Sequence, residues 1–375
     1  VSGQPYPILD KGVKLTKLPS LDLYSFNNPL KAFRFDLLKE PINLYEWLSH
    51  LSGGFSEPYT FGERMAIWGK ENYKRFDVVH DNQTLAYGLI KLRDMGVPVV
   101  GTIHHPITMD KRIDIKHAET LSLKLLKWRW YSFLKMQIKV ARKLDPIIVV
   151  SENTRKDVVK DFKIDPKKTR KVLHGIDHKT FEPIPSIERK KNQLITTASA
   201  DVPLKGLIYL IRAYSELLNE FPDLSLVVIG KLRDGPTSNE LDKKDIKNKV
   251  KFISDLTSRE IAELYAESTI AISPSVYEGF GFPAGEAMSC GIPLISTNGG
   301  SLPEVVGNSG IIVPHSNPNE LRKAIKELLL SPEKRKELGE KGRKRVLEKF
   351  TWKRAAKELV EVYREAISNA DNRSR

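Results

Sequence analysis

The stretch Tyr277 to Glu286, YEGFGFPAGE, sets two carboxylates, Glu278 and Glu286, eight positions apart around three glycines, two phenylalanines and a proline. Gly279 and Gly281 let main-chain N–H groups come close to a ligand, since no Cβ stands in the way. Pro283 suits the first position of a helix, and the amides at such an N-terminus favour a diphosphate. Glu278, in the loop ahead of that helix, is placed to reach a polar sugar or a developing positive charge. Glu286, in the first or second helical turn, is placed to hold a pair of ribose hydroxyls. The two acids would then serve separate partners on either side of a phosphate cradle. A purely structural turn needs one or two glycines and neither acid.

Such a cradle must sit at the carboxyl end of a parallel strand, where open α/β sheets bind their ligands. The run before it, TIAISPS, is a strand candidate. Others in that half are QLITTASA, LSLVVIGK, KVKFIS, IPLISTN and GIIVPH; the first half offers FDVVH (76–80), VPVVGTIHH (97–105), PIIVVSE (146–152) and TRKVLHG (169–175). Segments of helical period such as GLIYLIRAYSELLNEF and SREIAELYAES alternate with them, which predicts α/β architecture with parallel sheets. Residues 178–192, HKTFEPIPSIERKKN, carry two prolines, many charges and no apolar period, and read as a linker. The expected division is therefore a doubly wound domain over 1–177, the linker, a second over 193–349, and a closing helix over 350–375 that returns to the first. The first domain lacks the strand, glycine loop and helix that usually open such a sheet, so either the fold omits that unit or the chain is truncated there.

Composition narrows the class. The chain has 375 residues, 40% hydrophobic and 29% charged, which is enough for two buried cores. No run reaches the roughly 18 apolar residues of a membrane span, and no secretory signal is evident. A single cysteine, Cys290, excludes an internal disulfide framework and fits a reducing, cytoplasmic setting; a small buried apolar residue is its simplest reading. No His/Cys/Asp cluster has metal-ligand spacing, so no structural zinc is expected. The formal charge of +14 calls for anionic partners or a lysine-rich soluble surface, but no RNP aromatic pair, GXXG clamp or finger spacing points to nucleic acid.

EGFGFPAGEAMSCGIPLISTNGGSLPEVV, from Glu278 onward, resembles the signature region of family-4 retaining glycosyltransferases of the GT-B fold, which carry Glu-x7-Glu there. The resemblance runs from about Gly12 to the last helix and is strongest in the second domain. It implies two Rossmann-like domains facing a central cleft. The second would bind most of a nucleotide-sugar donor and the first most of the acceptor, with retention of configuration and neither metal nor cofactor. Matched by position, Glu278 would face the donor sugar and Glu286 the ribose. The amides of Gly279, Phe280, Gly281 and Phe282 would contact the sugar hydroxyls and diphosphate. Lys205, in ASADVPLKG, takes the lysine place of the family's Arg-x4-Lys pair, whereas Ala200 stands in the arginine place. His104, in Thr102-Ile103-His104, matches a histidine that hydrogen-bonds the donor sugar. Its neighbour His105 would cap the loop or meet the acceptor. Asp81 and Asn82, in HDNQT, would contact acceptor or donor, or simply cap the next helix. HGID (174–177) reads as a structural turn. Front-face attack assisted by the leaving phosphate is the expected mechanism, with a covalent glycosyl-enzyme on Glu278 as the other route.

Leu121 to Leu144 holds seven Lys/Arg, no acid and four aromatics. As one helix it would set Lys124, Lys127, Tyr131, Lys135, Lys139 and Arg142 on one side. Leu123, Leu126, Trp130, Phe133 or Leu134, Val140 and Leu144 would lie on another. Such a stripe suits an anionic membrane surface, the inner face for a cytoplasmic protein, or a plain solvated face over the sheet. Membrane contact would point to a lipid-linked or phosphorylated glycan precursor as acceptor. From another class comes a catalytically silent GT-B homologue acting as a partner subunit, which Ala200 and the missing opening unit favour. A dinucleotide-dependent oxidoreductase lacks its G-x-G-x-x-G after a strand.

Overall fold

The computed structural model describes every residue except 26–29, 31–32, 34, 36–38, 199–201 and 375, and the side chains of 373 and 374. Ala200 lies outside the described residues. The chain divides into two compact units, one of Val1–Val149, Arg155–Arg170 and Val360–Arg375, the other of Val150–Thr154 and Lys171–Leu359. The last helix, Trp352–Ser374, is shared between them, passing from the second unit to the first at Val360. Residues 178–192 form neither helix nor strand.

Four strands make the first sheet: β1 (Val79–Asn82), β2 (Val99–Ile103), β3 (Ile147–Val149) and β4 (Thr169–Lys171), in the order β1-β2-β3-β4. The pairs β1/β2 and β2/β3 are parallel. Both β2 and β3 are buried along their whole length, as β-branched runs covered on two faces should be. Strand order follows chain order here, so the described strands contain no reversal and show one half of a doubly wound pattern.

The second sheet has six parallel strands: β5 (Gln193–Thr197), β6 (Ser225–Ile229), β7 (Val250–Ile253), β8 (Ile270–Ser273), β9 (Leu294–Thr297) and β10 (Ile311–Val313). Their order is β10-β9-β8-β5-β6-β7. The chain winds one way from β5 and the other way from β8, so the reversal falls between these two neighbours, and their carboxyl ends open the crevice where this class of sheet binds ligands. The helix Leu207–Leu217 follows β5 and buries Leu207, Leu210, Ile211, Tyr214 and Leu217. Its Tyr214 hydroxyl is 2.9 Å from both the Leu224 and Lys249 carbonyls, pinning the helix beside the starts of β6 and β7. A reciprocal cap between Thr257 and Glu260 starts the helix Ser258–Glu267.

The segment from Leu121 to Leu144 departs from the single helix its period suggests. It forms a helix over Leu121–Trp130, a 3-10 turn over Tyr131–Phe133 and a second helix over Leu134–Ala141. Tyr131, expected on the basic side, is buried and donates to Asp114 Oδ2 at 2.9 Å, and Lys127 binds that same oxygen at 2.9 Å. Phe133 and Leu134 turn inward with Tyr131, and Phe55 stacks on Trp130 with ring centroids 5.0 Å apart. The second helix buries Leu134, Met136 and Val140. The first buries no residue: Leu123 and Leu126, expected on the side away from the lysine stripe, are exposed, as are Leu121, Leu125 and Trp128. Among the described residues no helix is long and apolar enough to cross a membrane.

Candidate functional site

In the second unit the loops after β5 and β8 meet at the strand-order reversal. Lys205 Nζ donates to Glu278 Oε1 at 2.7 Å, and Ser275 Oγ donates to the same oxygen at 2.8 Å. The Glu278 side chain is 14% exposed and that of Lys205 32%, so the pair is partly withdrawn from water yet open on one side. Backbone fit holds the two loops together. Val276 N donates to Leu204 O at 2.7 Å, and Gly206, at φ +62°, lies so close that a Cβ would come within 2.2 Å of the Pro274 carbonyl. Only glycine combines that left-handed conformation with that approach. On its far side the Glu278 carbonyl accepts from both Ser301 N and Ser301 Oγ at 2.9 Å. The Thr297 hydroxyl, at the end of β9, donates to the Ser275 carbonyl.

Beyond Glu278 the chain turns through Gly281, at φ +99°, into the helix Phe282–Ser289, with Pro283 in its first turn. The Gly279 carbonyl is fixed by Ser151 Oγ at 3.1 Å and Thr154 Oγ1 at 3.2 Å. The amides of Gly279, Phe280, Gly281 and Phe282 donate to no acceptor among the described residues. Consecutive N–H groups without protein partners at a helix N-terminus form an anion cradle. Phe280 is buried and Phe282 exposed; the His174 ring lies edge-on to the first, with centroids 5.2 Å apart, and stacks on the second at 5.1 Å, so the HGID turn shapes this loop.

Glu286 is half-buried, one turn into that helix, and no described residue donates a hydrogen bond to its carboxylate. Desolvation pushes its pKa from the ordinary 4.5 up to about 7. Its charge is felt by the buried Tyr265 and Cys290, both held above their usual range chiefly by burial. Tyr265 in turn bridges Thr197 Oγ1 at 3.1 Å and the Pro283 carbonyl at 3.3 Å, linking the end of β5 to the cradle helix. Sequence reasoning did not single out Ser275, Ser301 or Tyr265.

In the first unit His104 follows β2, and its Nε2 donates to Asn82 Oδ1 at 2.6 Å, so two residues drawn from separate motifs are in contact. Burial, then the neighbouring His105 and His80, lower the His104 pKa to about 4, which leaves the ring neutral near pH 7. His105 Nε2 lies 2.8 Å from Asp110 Oδ2, on the first turn of the following helix. Asp81 is 7% exposed and accepts from Leu85 N at 2.9 Å; this braces the loop and does not cap the next helix, Tyr87–Asp94, whose N-cap Ala86 has no side-chain cap. Burial raises its pKa to about 6. Gln83, a residue not anticipated, accepts from His104 N at 2.5 Å and donates to the His105 carbonyl at 2.8 Å, tying the two loops together. His80, also unanticipated, contacts Thr102 Oγ1 and the Tyr363 hydroxyl, each at 2.7 Å. The HDNQT run was the signal for both.

Comparison with known proteins matches residues 24–180 to the model of "Glycosyltransferase Family 4" and residues 179–345 to that of "Glycosyl transferases group 1". A protein named MMP alpha-(1->4)-mannosyltransferase, from Mycolicibacterium hassiacum, is 41% identical over 372 residues, which cover 98% of this chain and 90% of that protein. The chain belongs to the family-4 glycosyltransferases. Among solved structures, sucrose-phosphate synthase from Thermosynechococcus elongatus aligns with this glycosyltransferase at a TM-score of 0.68 and 21% identity, over 83% of this chain and 78% of that one. Anabaena HepE in complex with UDP aligns at 0.66 and 17%, over 81% and 82%. The fold is GT-B, with two Rossmann-like parallel-sheet domains.

Glu286 makes a pH prediction for this glycosyltransferase. A carboxyl whose folded pKa stands above its unfolded value carries no penalty while protonated; the penalty grows as pH rises from about 4.5 and is complete above about 7. Glu286→Gln should therefore melt with wild type near pH 4.5 and above it at pH 8. A stability gap that does not change with pH would show that Glu286 ionises normally.

Proposed function

We propose that the chain transfers a sugar, mannose first among candidates, from a nucleotide-sugar donor to an acceptor hydroxyl with retention of configuration and without a metal ion. The arrangement around Glu278 carries the reading: a carboxylate paired with Lys205 beside four main-chain amides that have no acceptor among the described residues, all at the reversal of the sheet. The 41% identity to a protein named a mannosyltransferase supports the sugar, and HepE, whose structure holds UDP, supports a nucleotide-linked donor.

As the sugar–phosphate bond breaks, negative charge builds on the diphosphate and positive charge on the anomeric carbon. The amides of Gly279 to Phe282 and the Lys205 ammonium meet the first, in a pocket already organised before the donor arrives. They supply the charge that a metal would otherwise bring. Glu278 meets the second. Its Oε1 is occupied by two donors, which makes it a better electrostatic partner than nucleophile and favours front-face attack, with the leaving phosphate taking the acceptor proton. Glu286 accepts from the ribose diol, and since that needs the carboxylate, donor binding near pH 6.5 should release protons. In the first unit, neutral His104, oriented by Asn82, hydrogen-bonds the donor sugar, while His105 sits on the acceptor side; Gln83 ties their loop to the one after β1, which the Asp81–Leu85 bond braces.

The acceptor is proposed to be a lipid-linked or phosphorylated glycan precursor, reached from the cytoplasmic face of an anionic membrane. The observation behind the membrane part is the helix Leu121–Trp130, where Leu121 is 74%, Leu125 63% and Trp128 53% exposed among lysines. Lys111 and Lys135 both lie over the Trp128 ring, at 5.4 and 5.6 Å. Leu125→Asp/Trp128→Ser should abolish co-sedimentation with phosphatidylglycerol vesicles; equal sedimentation of variant and wild type would remove the membrane from the proposal.

Incubation with UDP-, GDP- and ADP-sugars, with and without glycan phosphates, tests the activity. Nucleotide release is expected with one donor class. Glu278→Ala should lose about a hundredfold or more in kcat while keeping part of its donor affinity. Glu286→Ala should mainly weaken donor binding. Release from no donor would instead support the silent partner subunit, and normal turnover by both variants would refute the site.

A further inference from the structure

A cavity of about 670 Å³ lies in the second unit between the segment at Pro183–Arg189, the Gly291 turn and the helix Pro332–Lys349. Five cations line it, Arg189, Arg335, Lys336, Arg343 and Lys344, against two carboxylates, Glu340 and Glu348. Glu348 lies 4.0 Å from Lys344, and Glu340 pairs with none of the arginines. The remaining wall is apolar, formed by Pro183, Pro332 and Leu347.

The arginines are held by backbone rather than by acids. Arg343 Nη1 donates to the carbonyls of His178, Phe181 and Ser289 at 2.9–3.0 Å, and Arg335 Nη1 to those of Leu328 and Leu329 at 2.5 and 2.8 Å. Arg189 Nη2 donates to Gly291 O at 3.0 Å. No carboxylate of the described residues pairs with any of the three, and each keeps its Nε and one terminal nitrogen without a protein acceptor. Desolvation first and then the Arg335 charge lower the Arg189 pKa, the second as a facing like charge does. Guanidinium groups fixed with unused N–H donors match the tetrahedral oxygens of a phosphate group.

We propose that this cavity binds a phosphorylated organic molecule, its phosphate held by Arg189, Arg335 and Lys336 and its carbon skeleton lying against Pro183, Pro332 and Leu347. The phosphate is a monoester, from a free metabolite or from a lipid headgroup. The site does not depend on the activity proposed above, since none of its residues touches the Lys205–Glu278 cradle.

Titration calorimetry with phenyl phosphate, inorganic phosphate and vesicles containing phosphatidic acid tests it. Wild type should bind phenyl phosphate saturably and several-fold more tightly than inorganic phosphate. Arg189→Gln/Lys336→Gln, both exposed positions, should weaken that binding about tenfold or more, as loss of charge-assisted hydrogen bonds does, with an unchanged melting temperature reporting an intact fold. Lys205→Ala should leave it unaltered. Tighter capture of phosphatidic acid vesicles, lost in the same double variant, would assign the phosphate to a lipid and still support the site. Absence of saturable binding to every probe, or binding equal in the double variant, would overturn it.

Discussion

An ammonium and a carboxylate in contact, placed where the second sheet reverses its strand order, are the constraint on which the rest of the site depends. Lys205 and Glu278 arrive from loops 73 residues apart and meet at 2.7 Å. A pair this sheltered forms only if both loops are held without slack. Three devices do so: the Val276 N–Leu204 O bond, the close packing of Gly206 on the Pro274 carbonyl, and the double grip of Ser301 on the Glu278 carbonyl. With Glu278 fixed in this way, the chain beyond it turns its next four amides away from protein acceptors. The anion cradle is thus a consequence of how the carboxylate is tethered.

The two acids of the cradle differ in environment although they share a motif. Glu278 has two donors on one oxygen, whereas Glu286 has none among the described residues and is pushed up to about 7 by burial. A carboxylate already satisfied by protein suits steady electrostatic support. One left without donors suits a ligand that brings its own hydroxyls, which relieves the desolvation when it binds. His104 follows similar logic in the first unit, where burial keeps it neutral and Asn82 fixes its ring.

Much of this was legible in the sequence because it rests on local pattern. Each of the ten strand candidates overlaps a strand, and the runs at β2, β3, β8 and β9, buried throughout, have little alternative. FDVVH is misplaced: the strand there is Val79–Asn82, so Asp81 and Asn82 lie on it rather than after it. The Glu-x7-Glu stretch and its glycines also carry their geometry with them. What stayed hidden depends on partners distant in the chain. Leu121 to Leu144 has unbroken helical period, yet it breaks at Tyr131 because that hydroxyl bonds Asp114 and Phe133 packs inward. Ser275, Ser301 and Tyr265 look like ordinary polar or core residues until the loops they join are folded. Asp81 is a case where local pattern misleads: its carboxylate accepts from Leu85 N in the loop and leaves the N-cap of the next helix, Ala86, without a side-chain cap.

A crystal structure of the protein with a bound nucleoside diphosphate tests the central claim most directly. The account predicts diphosphate oxygens within hydrogen-bonding distance of the amides between Gly279 and Phe282 and of Lys205 Nζ, with the ribose on Glu286. A diphosphate bound elsewhere, with the Lys205–Glu278 pair and those amides facing only solvent, would contradict it.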